Sequence, residues 1–75
     1  MEPYRNIGGD SGIAGYESGA DFIRVQFSDG SVYLYTYASA GSQVIEQMKT
    51  LAASGHGLNA FINTNAKKAY ARKER

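Results

Sequence analysis

Tyr33, Tyr35 and Tyr37 at alternate positions, and five basic side chains crowded between residues 67 and 75, are the groups in this chain best equipped to meet a ligand. Aromatic faces stack on unpaired nucleobases, and lysine or arginine neutralises phosphates, so together they point to single-stranded nucleic acid. The expected contacts are Lys67, Lys68, Arg72 and Lys73 on phosphates, with Arg24, Tyr33 and Tyr35 near bases. Each has a plainer explanation. The tyrosines would serve as core bodies with their hydroxyls at the rim. The basic residues would complement the dipole at a helix end, and Arg24 would snorkel from a sheet edge.

Catalytic chemistry finds little to work with. The chain has one histidine and no cysteine. His56 sits between Gly55 and Gly57, which reads as an exposed turn, and a metal site needs several converging ligands. The carboxylates are scattered over turns and helix starts, and no serine has a visible base and orienting partner. Gly55-His56-Gly57 ahead of a helix would offer backbone N–H groups to a phosphate, but a helix stop followed by a helix start explains both glycines. A non-catalytic protein without metal or cofactor is expected.

Charge is distributed unevenly. With 8 Lys and Arg against 7 Asp and Glu, the 75-residue chain carries a formal charge of only +1. Residues 1–66 hold Arg5, Arg24 and Lys49 against six carboxylates, whereas residues 67–75 hold Lys67, Lys68, Arg72, Lys73 and Arg75 against Glu74. Such asymmetry points to an anionic partner. No apolar run approaches the roughly 20 residues of a membrane span and no signal-peptide pattern opens the chain, so a cytoplasmic protein without a membrane partner is expected.

These groups must be positioned by the stretch FIRVQFSDGSVYLYTY, Phe22 to Tyr37, which reads as two strands around a turn at Asp29-Gly30. Ile23, Val25 and Phe27 alternate on one arm, and Tyr33, Tyr35 and Tyr37 on the other. A two-residue turn pairs Phe27 with Val32 and sends the tyrosines away from the aliphatic face, as an open stacking platform. A three-residue loop, Ser28-Asp29-Gly30, pairs Phe27 with Ser31 and sets Val25 opposite Tyr33 and Ile23 opposite Tyr35. The inward register is favoured, because a contiguous exposed apolar patch is uncommon without a partner.

Upstream, Pro3, Asn6, Gly8, Gly9 and Asp10 read as a poorly fixed lead-in over residues 1–11. Gly12 to Glu17 reads as a short strand that completes a meander. Downstream, Val44, Ile45, Met48, Leu51 and Ala52 share one helical face, with Ser42 or Ser39 as N-cap and Gly55 at the left-handed C-terminal position. A second helix starts near Gly57 or Leu58, with Leu58, Phe61, Ile62, Ala66, Ala69 and Tyr70 as its stripe. Asn63-Thr64-Asn65 is its weak point. If that helix continues, Lys68, Arg72 and Arg75 form a positive ridge. The fold class is therefore α+β: a three-stranded antiparallel meander followed by two helices on one face.

These residues resemble the KTSC domain, a short module named for its occurrence at the C-terminus of some lysyl-tRNA synthetases. The family's central YxY motif is matched by Tyr33-Leu34-Tyr35. The likeness runs from about Ile13 to Ile62 through Gly15-Tyr16, the Ile23/Val25/Phe27 alternation, Gly30, the helix of Val44 to Leu51, Gly55, Asn59 and Ile62. It departs at Tyr37-Ala38-Ser39, where the family has a Val-Pro pair, and at Ala53 and Gly57. The resemblance implies a KTSC-like domain over residues 12–70 and a basic tail over 71–75. The family's own function is unknown, and its synthetase context implies RNA. The alternative is a protein-interaction or self-association module, such as an accessory protein of a mobile element, with Phe22, Val32 and Leu34 as its apolar patch.

Overall fold

A computed structural model of the chain describes residues 1–7 and 12–75. At its centre are strands β3 (Phe22–Phe27) and β4 (Val32–Thr36). The loop between them has three residues. Phe27 N donates to Ser31 O at 2.8 Å and Gly30 N to Phe27 O at 2.9 Å, while Gly30 takes a φ of 93°, where a Cβ is disfavoured. Asp29 Oδ1 ties the loop by accepting from the Ser31 backbone N–H at 2.9 Å and its hydroxyl at 2.7 Å. The register is accordingly Val25 opposite Tyr33 and Ile23 opposite Tyr35. The inward register holds.

Strand β2 (Ile13–Ser18) pairs antiparallel with β3 through a bulge between Ile13 and Gly15, completing the expected meander. Two further strands extend it. β1 (Glu2–Pro3) adds to β2 and β5 (Arg72–Lys73) to β4, giving an antiparallel five-stranded sheet in the order β1-β2-β3-β4-β5. The α+β class stands, with five strands and three helices among the described residues in place of three and two.

Both additions correct the expectation for the chain ends. The lead-in is anchored by Tyr4, which is buried; its N–H donates to Ala14 O at 3.1 Å and its hydroxyl accepts from Leu58 N–H at 3.2 Å. Arg5 Nη2 donates to the Ala53 and Ser54 carbonyls, two of the acceptors a helix end leaves open. Gly8, Gly9 and Asp10 lie outside the described residues.

The helices cover one sheet face. Helix α1 (Tyr37–Ala40) follows β4 directly: Thr36 Oγ1 accepts from Ser39 N–H and Ser39 Oγ accepts from Thr36 N–H, a reciprocal cap. Tyr37 thus opens a helix and is not a strand residue. Helix α2 (Ser42–Ser54) is preceded by Gly41, not capped by Ser42 or Ser39, and ends at Gly55 with φ 76° as expected. Helix α3 (Leu58–Phe61) widens into a π-helical turn over Ile62–Ala66, which includes the low-propensity Asn63-Thr64-Asn65. Leu58, Ile62 and Ala66, four apart, still face inward.

The core lies between sheet and helices. Ile23, Val25, Ile45, Met48 and Leu58 are fully buried, each contributing about 1.5–3 kcal/mol of apolar burial. After Ala66 the chain turns at Lys67 and Lys68 and leaves helical geometry. Ala71 N–H then reaches Leu34 O and Glu74 N–H reaches Val32 O, so residues 71–75 run along β4. The helical ridge of Lys68, Arg72 and Arg75 does not form, because pairing to an open strand edge outweighs the helix propensity of Lys and Arg.

Candidate ligand cleft

Beyond the last turn of the helical layer, the β3–β4 loop and the α3–π segment stand apart. An open cleft of about 510 Å³ separates them. From the sheet it is lined by Phe27, Asp29, Ser31, Tyr33 and Tyr35, from the helical side by Asn59, Ile62, Asn63, Lys67 and Lys68, and also by Tyr70.

Rings that pack edge to face line this cleft. Tyr33 meets Phe27 with centroids 5.6 Å apart at 85°, and Tyr70 meets Tyr33 at 4.8 Å and 66° and Tyr35 at 6.4 Å and 87°. Edge-to-face packing is an arrangement that aromatic rings prefer. Tyr35 is 2% exposed whereas Tyr70 is 39% exposed, so the cluster runs from core to solvent. Burial pushes the Tyr35 phenol up to about 12, followed by the influence of Tyr33 and Tyr70, and it stays a neutral hydroxyl in ordinary buffers. Core and ligand roles are therefore compatible: the tyrosines face inward and still reach an open cleft.

Both signs of charge occur at the cleft. Lys67 and Lys68 are exposed. Asp29 is held below the usual carboxylate range, first by the Ser31 hydroxyl and next by the Ser31 backbone N–H. Lys73 approaches the cleft from β5, its Nζ 5.9 Å from the Tyr33 ring centroid.

Arg24 and Arg72 are elsewhere. Strand alternation places them with Leu34 on the opposite sheet face. There Glu74 bridges them, Oε1 to Arg24 Nε at 2.7 Å and Oε2 to Arg72 Nη2 at 3.0 Å. Those hydrogen bonds, the Arg24 one foremost, hold the Glu74 carboxyl below its ordinary range. Under this lattice Val32 and Leu34 are only 7% and 8% exposed. The anticipated apolar patch of Phe22, Val32 and Leu34 is thus largely covered, and Arg24 also lies over the Phe22 ring at 4.9 Å.

Of the seven residues expected at the site, Tyr33, Tyr35, Lys67 and Lys68 converge, Lys73 borders them, and Arg24 and Arg72 are turned away. No family model, curated protein or solved structure matches the chain. Sequence reading missed Asp29, Asn63 and Tyr70 as lining residues. Tyr70, an aromatic residue between Lys68 and Arg72, carried a usable signal that the helical stripe obscured.

Other polar groups support the fold. Lys49 Nζ bonds Glu46 Oε2 at 2.7 Å and the Gly19 and Ala20 carbonyls, strapping α2 to the β2–β3 turn, and Tyr37 adds its hydroxyl to Glu46. His56 is exposed in the α2–α3 turn. Among the described residues, no group of three or more His, Cys, Asp or Glu is placed to hold a metal, and no helix is long and apolar enough to cross a membrane.

Proposed function

We propose that this chain is a non-catalytic module, akin to the KTSC domain, that binds single-stranded RNA in the cleft between the hairpin loop and the π turn. The carrying observation is that Tyr33, Tyr35 and Tyr70 share one open cleft with Lys67 and Lys68. A base stacked on an exposed tyrosine face contributes about 1–3 kcal/mol, and each lysine on a phosphate adds salt-dependent affinity. Against catalysis, Asp29 is depressed by its serine partner and so poorly suited to proton transfer near neutrality. The interaction-module alternative is less favoured, since Arg24, Arg72 and Glu74 overlie the patch it would use.

Titration of a fluorescent uridine-rich oligonucleotide into the full chain tests the proposal. Binding should weaken as salt rises, with a log–log slope reduced by about 0.7 for each of Lys67→Ala and Lys68→Ala. Binding unaffected by salt and by both substitutions would contradict it.

A further inference from the structure

The cleft is lined by an anion as well as by cations, Asp29 on the hairpin loop together with Lys67 and Lys68, and the ammonium of Lys73 also attracts Asp29. A groove that only tracked phosphates would gain nothing from a carboxylate, which repels them. Asp29 does close its own loop through Ser31, but both of those bonds fall on Oδ1. A carboxylate has about four acceptor positions; the two Ser31 bonds and the contact with its own backbone N–H leave at least one of them for a ligand. The Ser31 bonds also fix the loop that carries it, which preorganises the acceptor.

The nucleobases differ in what they offer such a group. Guanine presents N1–H and N2–H₂ side by side on its Watson–Crick edge. In adenine and cytosine the exocyclic amine adjoins a ring acceptor, and in uracil a single N–H lies between two carbonyls. Two adjacent donors facing a carboxylate are therefore a guanine signature among the four. A small cation would also suit tyrosines and a carboxylate, but Lys67 and Lys68 line the same cleft and the Lys73 ammonium already sits near the Tyr33 ring. At about 510 Å³ the cleft falls within the roughly 300–1,000 Å³ of ligand pockets and has room for one nucleotide.

We infer that the cleft selects guanine: Asp29 accepts from N1–H and N2–H₂, the base stacks against the exposed Tyr70, and the flanking phosphates lie on Lys67 and Lys68. This rests on the RNA-binding reading above and adds base identity to it.

The experiment titrates the full chain with four oligouridylates of equal length, carrying guanosine, inosine, adenosine or cytidine at the centre. Guanosine should bind about 5- to 150-fold more tightly than adenosine, with inosine, which lacks the N2 amine, between them. Asp29→Asn should erase that ranking, and Lys68→Ala should weaken all four alike and keep it. Because the base series is run on the unsubstituted chain, the outcome does not depend on a variant folding. Equal affinity for all four oligonucleotides would overturn guanine selection and leave RNA binding standing. No binding to any of them would overturn both.

Discussion

Val25 on β3 stands directly opposite Tyr33 on β4. That pairing fixes which side of the sheet the tyrosines occupy, since a slip of one residue would turn them away from the helices. It depends on a three-residue loop that ends in a left-handed glycine.

Gly30→Ala should therefore lose about 1–2 kcal/mol, the cost of placing a Cβ at positive φ. Open space surrounds the position, so no clash adds to it. Urea denaturation checks the value, and an unchanged midpoint would mean that the turn does not hold the register.

Tyr4 predicts a second stability effect. Its buried hydroxyl accepts from Leu58 N–H, one of the donors a helix start leaves unpaired. Tyr4→Phe should cost about 1–3 kcal/mol, as expected for an orphaned buried donor. Thermal unfolding of the variant at constant pH measures it, and a loss below a few tenths would show that water replaces the hydroxyl.

The hairpin, the α2 face and its Gly55 stop were legible because each is written in local chemistry: alternation, a loop glycine and a four-residue apolar spacing. The two edge strands were not. Glu2-Pro3 and Arg72-Lys73 have little strand propensity, and only the open edges of β2 and β4 order them. Lys and Arg after Ala66 resemble a helix continuing, so the return of the chain along β4 was hidden. Part of the cleft was visible in Tyr33, Tyr35, Lys67 and Lys68. Asp29 looked like a turn residue and nothing more, because its place on the cleft lining depends on where the fold sets the hairpin tip and the π turn.

Acid should loosen the C-terminal strand first. Glu74 has its folded pKa depressed by Arg24, so its contribution is complete above the unfolded value near 4.5 and is lost as pH falls through the lower folded value. Hydrogen exchange of the Ala71 and Glu74 amides, both bonded to β4 carbonyls, should accelerate in that acidic window relative to core amides. In Glu74→Gln the acceleration should already be present at neutral pH. Equal protection in the variant would assign β5 to backbone pairing alone.

Alkali acts on Tyr35. Its folded pKa is raised from 10.0 to about 12, so stability is intact below 10 and declines as pH climbs from there through about 12. Tyrosinate absorbance should contain a late component near pH 12, and Tyr35→Phe should remove it. A titration without that component would contradict the burial.

Lys67, Lys68 and Tyr70 test the cleft itself, being exposed enough to replace without opening the core. The decisive measurement is the affinity of single-stranded RNA for the full chain and for Tyr70→Ala, Lys67→Ala and Lys68→Ala across a salt series. RNA binding in the cleft predicts a loss of about 1–3 kcal/mol for the tyrosine at every salt concentration, and a shallower salt slope for each lysine. Binding that survives all three substitutions unchanged, or no binding at low salt, would contradict it.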